Sequence, residues 1–563
     1  MDTTAPDAAF PTLTAGELER IRARGEPATL RTGDVLYSAG DRDYDFFLIE
    51  SGEVEIVRTA RPDSPAQVVA SHGSGRFLGE LNLLTGQAAY LAARVTVPGT
   101  ATRVPRARFR QLMAEDPELA DVILRAFMAR REILRTGEGK RSVEIIGREA
   151  CAGTLALRNW ASRLQLPHLW IDADTPGGEA VLESVGASTE ELPIVVTPTA
   201  VLRNATPGIL AQTLGLTYRA TPDRVFDLVV VGGGPAGLAA AVYGASEGLD
   251  TVLVESVAVG GQAAASSRIE NYLGFPSGLP GAELTSRALV QAQKFGAGVT
   301  SPCEALSLHL GNGQLMITLA DGTEVATHSV VLATGASYRK LDLENWSRFE
   351  GAGIYYAATE LEARSCAGQR NEVAVVGGAN SAGQAALFLA GRDTHVHLII
   401  RKPDLESGMS RYLADRILAE PRIELHTSAQ VVAVGGGSAL ETIKVADART
   451  GTELDLPCVG LFCFIGAVPA TAWLDNVALD EAGFVLTDTD LTSVDEQATF
   501  EMLGRRPLPF ETSIPGVFAV GDVRKGSMKR VAAAVGEGAS AIRSVHSAIG
   551  TDNRQLARTP VRM

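Results

Sequence analysis

The chain has 563 residues, 45% of them hydrophobic and 21% charged, a globular balance long enough for about three or four domains and unlike that of a disordered protein. A net charge of −15 argues against nucleic acid or an anionic membrane surface as the main partner. Its five cysteines, Cys151, Cys303, Cys366, Cys458 and Cys463, make no disulfide framework and show neither C-x-x-C nor zinc-ligand spacing, so no metal site is read.

The opening MDTTAPDAAFPTLTAGELER has no basic stretch followed by an apolar run, which points away from a secretory leader. Leu228 to Ser246 is nineteen residues without a charge, but its Gly-Gly-Gly-Pro interruption reads as a turn rather than a membrane span. A soluble, cytoplasmic protein is expected.

Within residues 12–140, short alternating strands are punctuated by Gly33-Asp34, Gly40-Asp41, Ser51-Gly52, Gly73 and Gly75, and predict a small β-barrel between helices. The run GDVLYSAGDRDYDFFLIESGEVEIV resembles the cyclic-nucleotide-binding domain family, and Pro117 to Thr136 resembles that family's exit helix. The resemblance implies a ligand cassette opened by Phe77, Gly79, Glu80 and Leu81, with Glu80 contacting a ribose hydroxyl. Ten residues past Glu80, the arginine slot holds Tyr90, which cannot give the charge-assisted bond a phosphate diester needs. Arg94, four residues on, lies where a strand would carry it elsewhere. The barrel is therefore expected to serve as a structural or sensory module for an unidentified ligand other than a cyclic nucleotide.

Residues 141–217 begin with the strand VEII, then a turn, an amphipathic helix from Thr154 to Leu164, the strand HLWID, and Leu192-Pro193-Ile194 leading into two short strands and a helix. This order resembles the thioredoxin and glutaredoxin fold. Pro193 matches that family's cis-proline, and the C-x-x-C would fall on Cys151-Ala152-Gly153-Thr154. Cys151 stands at a helix start that favours thiolate, but Thr154 replaces the resolving cysteine. A spacer with an incidental thiol is favoured over a monothiol function such as glutathionylation.

After a linker from Thr217 to Arg224, DLVVVGGGPAGLAAAVYGASEGLDTVLVE reads as strand, tight turn, helix and strand. Gly232, Gly234 and Gly237 have G-x-G-x-x-G spacing around Pro235 and Ala236, and Glu255 lies eighteen residues past Gly237, placed for a ribose diol. The bland alternative is a glycine-rich loop in some other α/β protein. The continuation GGQAAASSRIENYLGFP resembles the flavin-contacting loop of the low-molecular-weight thioredoxin reductase family, including its ferredoxin-NADP reductase relatives. Gly260, Gly261, Gln262 and Asn271 match there, and Ala333-Thr334-Gly335 matches the A-T-G that closes the flavin half.

Near the C-terminus, IPGVFAVGDVRKGSMKRVAAAVGEGASAI supplies Gly521 and Asp522, then Arg530, Val531 and Ala532. The resemblance implies that Asp522 bonds the ribityl chain; an N-cap role is the alternative. It also implies FAD, held by residues 224–345 and 466–550, and a homodimer.

Between these halves, residues 346–465 carry a second fingerprint, VAVVGGANSAGQAALFLA, framed by Gly377, Ala379 and Ala382 with Gly378, Asn380 and Ser381 between them. Eighteen residues past Ala382 stands Ile400, followed by Arg401 and Lys402, where a basic pair suits the 2′-phosphate of NADPH. Two basic residues on a solvated turn is the alternative. Ala379 puts a methyl group where the family usually has glycine against the pyrophosphate.

The family's C-A-T-C aligns with the run GIYYAATELEA, in which Tyr356 precedes, Ala357 and Glu360 take the cysteine positions, and Ala358 and Thr359 lie between. Cys366, six residues beyond Glu360, is a single thiol and cannot replace the pair. The expected architecture is a cyclic-nucleotide-binding-like β-barrel, an α/β thioredoxin-like unit and an α/β flavoprotein of two dinucleotide-binding domains. The expected function is an NADPH-dependent FAD oxidoreductase that passes electrons from flavin directly to ferredoxin, flavodoxin, a quinone or oxygen. A flavin-bound sensor or scaffold, and a thioredoxin reductase using another thiol, are the alternatives.

Overall fold

The computed structural model describes residues 6–60, 65–149, 151–217, 224–266, 269, 272–311, 313–356, 358, 360–366, 372–491 and 500–556. The first sheet is antiparallel and built on two long strands, Phe46–Arg58 and Ala92–Val104, which pair with each other between Glu26–Leu30 and Gln67–His72. Register shifts near Ser51 and Glu53 bend the long pair. Phe46 fills the interior, stacked on Phe109 at 4.8 Å and Phe77 at 5.4 Å.

The helix Pro117–Thr136 has the predicted bounds, and local chemistry sets both ends. Asp116 accepts from the Leu119 N–H, Pro117 opens the first turn, and Gly137 follows the last. One face of this helix, with Ile123 and Phe127, seals the barrel.

The second sheet runs Val201–Leu202, Ile194–Val196, Val143–Gly147, His168–Asp172. Val143–Gly147 is parallel to His168–Asp172 and antiparallel to Ile194–Val196, and the Leu192–Pro193 peptide is cis. The helix Ala152–Arg163 starts two residues earlier than the sequence reading placed it, because Cys151 takes the extended N-cap conformation. From this helix Leu155 packs with Tyr355, Ala358 and Ala363 of the last unit. The Arg42 guanidinium donates to the Gln212 and Thr213 carbonyls, and the Gln165 amide to the Ser286 hydroxyl at 3.0 Å.

Two larger sheets follow. The first has the order Gly298–Thr300, Thr251–Val254, Val225–Val231, Glu324–Leu332, Gln314–Leu319, Ala305–Gly311, and Val517–Ala519 adds in parallel beside Glu324–Leu332. The second is wholly parallel: Ile354–Tyr355, Gly460–Cys463, Glu372–Val376, His395–Ile399, Ile423–His426. Parallel strands covered on both faces explain the unbroken valine runs in the sequence. Because Val517–Ala519 returns to the first sheet, the second fold is inserted into the first. Among the described residues no helix is long and apolar enough to cross a membrane.

Candidate active site

The strand Val225–Val231 ends at Gly232, and the helix Pro235–Ser246 starts with Gly234 at its N-cap and Pro235 in its first turn. A Cβ on Gly237 would lie 1.8 Å from the Gly232 carbonyl oxygen, so the helix is seated directly on the turn. A Cβ on Gly234 would meet nothing within 4 Å, so the turn is open above the helix start, whose first N–H groups have no partner within the helix. Glu255 closes one side: its Oε2 accepts from the Gly233 N–H at 2.7 Å and its Oε1 from the Val257 N–H at 2.9 Å.

Other predicted residues converge on this turn. The Gly260 N–H donates to the Gly233 carbonyl at 2.7 Å, and a Cβ on Gly261 would lie 2.9 Å from the Gly234 Cα. The Gln262 amide donates to the Ala336 carbonyl at 2.6 Å, and the Thr334 hydroxyl to the Ala470 carbonyl at 2.9 Å. Ala333 and Gly335 flank Thr334 at the end of Glu324–Leu332. Gly521 packs on Ala236, where a Cβ would lie 2.9 Å from the alanine Cβ, and burial raises the neighbouring Asp522 carboxyl above its ordinary range. Val531 and Ala532 open the helix Val531–Leu556, with Arg530 just before it. Asn271 lies outside the described residues.

Sequence reasoning missed Glu537. Its carboxylate accepts from the Gly521 N–H at 2.7 Å, the Arg524 guanidinium at 2.8 Å and the Ser527 hydroxyl at 2.9 Å, fixing the Gly521-Asp522 turn. Replacing Glu537 by alanine should cost about 1.5–3 kcal/mol, the usual loss for hydrogen bonds to a charged group, read as a lower melting temperature and faster flavin loss.

The second cradle repeats the first. Glu372–Val376 ends at Gly377, whose added Cβ would lie 2.3 Å from the Phe464 carbonyl oxygen, and Ala379 caps the helix Asn380–Ala390. Ala382 is buried against the strands, whereas Ala379 and Ser381 are exposed on the open side of the turn. Asn380 is already engaged, since its Oδ1 accepts from the Ser410 N–H at 2.7 Å and ties residues 403–410 over Gly378. Arg401 and Lys402 are both exposed at the end of His395–Ile399, and Lys402 donates to the Ser407 carbonyl at 2.7 Å.

Of the expected dithiol positions, Ala357 lies outside the described residues, as does Thr359, and Glu360 opens the helix Glu360–Ser365. Burial pushes the Cys303 and Cys463 thiols up to about 11 and those of Cys366 and Cys458 to about 12. At Cys151 burial acts in the same sense, but hydrogen bonds from Thr154 and Gly153 and the charge of Arg148 outweigh it and bring the thiol below its ordinary value. None of the five is paired in a disulfide.

In the barrel, Glu80 forms an ion pair with Arg131 of the exit helix, whose Nη2 reaches Glu80 at 2.9 Å and Asn82 at 2.5 Å. The carboxylate expected to meet a ribose is thus neutralised by its own protein. Tyr90, 4% exposed, donates to Gln87 at 3.1 Å, and Arg94 pairs with Glu55, its register partner across the two long central strands. The cavity beside them measures ≈ 70 Å³ and is lined by Tyr37, Tyr44, His72 and Tyr90, with Glu80 and Arg130 also in its wall.

The comparisons agree with this geometry. The family described as pyridine nucleotide-disulphide oxidoreductase matches residues 226–538, which hold both cradles. The chain belongs to that family. It is accordingly an FAD-dependent NAD(P)H oxidoreductase, and the open, N–H-lined turn at Gly234 with Glu255 beside it fits the dinucleotide. The cyclic nucleotide-binding domain family matches residues 27–116, so the oxidoreductase carries that barrel at its N-terminus.

Thioredoxin reductase of Treponema pallidum (strain Nichols) is 32% identical over 329 residues, covering 58% of this chain and 98% of the relative. That of Eremothecium gossypii is 34% identical over 328 residues, covering 56% and 95%. The crystal structure of T. acidophilum thioredoxin reductase superposes with a TM-score of 0.50 at 28% identity, covering 58% of this chain and 99% of that one.

Proposed function

We propose that this oxidoreductase takes electrons from NADPH into FAD and delivers them directly to ferredoxin, flavodoxin, a quinone or oxygen, with no dithiol in between. FAD, when bound, supplies the two-electron chemistry; the chain supplies binding, orientation and access. The helix start at Pro235 to Gly237 holds the FAD pyrophosphate, Glu255 its ribose, and Gly261, Gln262 and Asp522 the far end. Arg401 and Lys402 receive the 2′-phosphate of NADPH.

The state of the thiols carries this reading. The family's disulfide chemistry needs two reactive cysteines, yet Ala357 and Glu360 stand at the aligned positions. Four of the five thiols have pKa values raised by burial. A thiol at about 12 is almost wholly protonated at neutral pH and a poor nucleophile.

One observation favours a second reading, in which a thiol still participates. Cys151 is acidified, and its helix packs through Leu155 on Tyr355 and Ala358, beside the aligned dithiol positions. Residues 141–217 are proposed as a thioredoxin-like unit, redox-inactive in the first reading and a monothiol participant in the second. Mixing with NADPH under anaerobic conditions should bleach the flavin band, and Cys151→Ser should keep full NADPH oxidation with whichever acceptor works. Turnover abolished by Cys151→Ser would transfer support to the second reading; no bleaching within minutes would leave a flavin-bound sensor or scaffold.

The rest of the proposal follows the same lines. Residues 12–140 form the barrel unit, 224–345 and 466–550 the FAD domain, and 346–465 the NADPH domain. The protein acts as a cytoplasmic homodimer. The barrel serves a small ligand other than a cyclic nucleotide, because Tyr90 occupies the arginine slot and Arg131 takes the Glu80 carboxylate. Millimolar cyclic AMP or cyclic GMP should leave the melting temperature unchanged; an upward shift would restore the nucleotide reading.

A further inference from the structure

Three of the eight histidines in the chain meet on one face of the second parallel sheet. In the pairing register Glu372 stands opposite His395, His397 opposite Glu424, and Ile399 opposite His426. Side chains alternate along a strand, so Glu372, His395, His397, Glu424 and His426 all project from the same face. It is the face on which Ala374, Val376 and Ile399 pack against the strands Ala429–Gly435 and Thr442–Asp447.

The donor atoms are close together. His395 Nε2 and His397 Nδ1 each lie 3.5 Å from Glu424 Oε2, and the donor atoms of these three residues are all within 4.8 Å of one another. His426 Nε2 is 3.1 Å from His397 Nδ1 and 3.6 Å from Glu424 Oε1. A tetrahedral ion with bonds of about 2.0–2.1 Å sets its ligands roughly 3.3 Å apart, which brackets these separations. On the far side of the His397 ring, Nε2 is 3.3 Å from Glu372 Oε2. A carboxylate there holds the proton on Nε2 and leaves Nδ1 free to ligate.

We propose that His395, His397, His426 and Glu424 bind a divalent transition-metal ion, zinc in the first place, with Glu372 as the positioning residue for His397. Three neutral imidazoles and a carboxylate are the borderline-soft N and O donors that zinc accepts, and two glutamates balance a divalent charge. His397 is 3% exposed, so the cluster is built into the sheet, while the more exposed His395 and Glu424 give the ion a way in. Bound there, the ion would clamp two neighbouring strands, one of which leads to Arg401 and Lys402, and Glu372 would tie in a third through His397. The pattern escapes a sequence scan because H-x-H and E-x-H lie on separate strands and meet only through register.

The test uses the full-length protein stripped of metal with a chelator. Cobalt, a spectroscopic stand-in for zinc, should give tetrahedral absorption bands beyond the flavin spectrum at one ion per chain. Zinc measured against a chromophoric chelator should bind with the same stoichiometry and raise the melting temperature. Glu424→Gln, at an exposed position that keeps the side-chain shape, and His397→Ala should each abolish the bands; Glu372→Gln should weaken binding about 10- to 100-fold. Cys151→Ser should bind as the parent does. Absence of the cobalt bands in the parent, or unchanged binding in Glu424→Gln, would overturn the proposal, leaving the cluster as histidine–glutamate pairs alone.

Discussion

Gly234→Ala should give a stably folded protein that is poorly loaded with flavin, while Gly237→Ala should lose both flavin and stability. At Gly234 the backbone has φ −73° and ψ −178°, which any residue adopts, and an added Cβ meets no protein atom within 4 Å. Stability should therefore change by no more than about 0.5 kcal/mol, as for an unstrained surface change. The methyl group instead enters the open space above the helix start, where the pyrophosphate must come closest. Loss of that approach should weaken FAD at least about tenfold, equivalent to roughly 1.4 kcal/mol.

At Gly237 the conflict is internal, because the Cβ would sit 1.8 Å from the Gly232 oxygen and the backbone itself must move. Overpacking of this kind costs about 1–3 kcal/mol. Flavin content, FAD affinity of the apoprotein and the apoprotein melting temperature separate the two variants. A Gly234→Ala protein as yellow as the parent would remove the assignment of this turn to the pyrophosphate.

What the sequence revealed and what it hid divide along a physical line. The helix Pro117–Thr136 was legible to the residue because Asp116, Pro117 and Gly137 are local signals that act within one turn. The turn from Gly232 to Gly237 was legible for the same reason: glycine spacing reports steric demands between neighbours in the chain. The Glu80–Arg131 pair was not legible, since fifty-one residues separate its members and nothing near Glu80 announces a cation on the exit helix. Glu537 was hidden likewise, sixteen residues past the Gly521 N–H that it receives.

The same line runs through the second cradle. The place of Arg401 and Lys402 just past the strand His395–Ile399 was legible because eighteen residues from the last small residue of a fingerprint is a nearly fixed distance in a βαβ unit. The hydrogen bond of Asn380 to Ser410 was not, because it depends on how residues 403–410 fold back. Long-range partners chosen by register or loop closure leave no periodic trace.

Reversing charge at Arg401 should therefore remove the preference for NADPH while sparing NADH, and reversing Lys402 should act on both nucleotides. The two residues do not contribute equally. The Lys402 ammonium already donates to the Ser407 carbonyl at 2.7 Å, whereas Arg401 is exposed beside it with a planar guanidinium suited to a phosphate. Hydrogen bonds to a charged group are worth about 1.5–3 kcal/mol, so Arg401→Glu should raise the NADPH KM roughly tenfold to 150-fold with kcat little changed. Lys402→Glu should do less to the phosphate but should loosen residues 403–410 over Gly378, raising the KM for both nucleotides. Paired steady-state measurements with NADPH and NADH distinguish loss of phosphate recognition, which moves one KM, from damage to the cradle, which moves both. If the double variant keeps the parent's preference, the 2′-phosphate is read elsewhere, and the basic pair is only a solvated turn at the end of a strand.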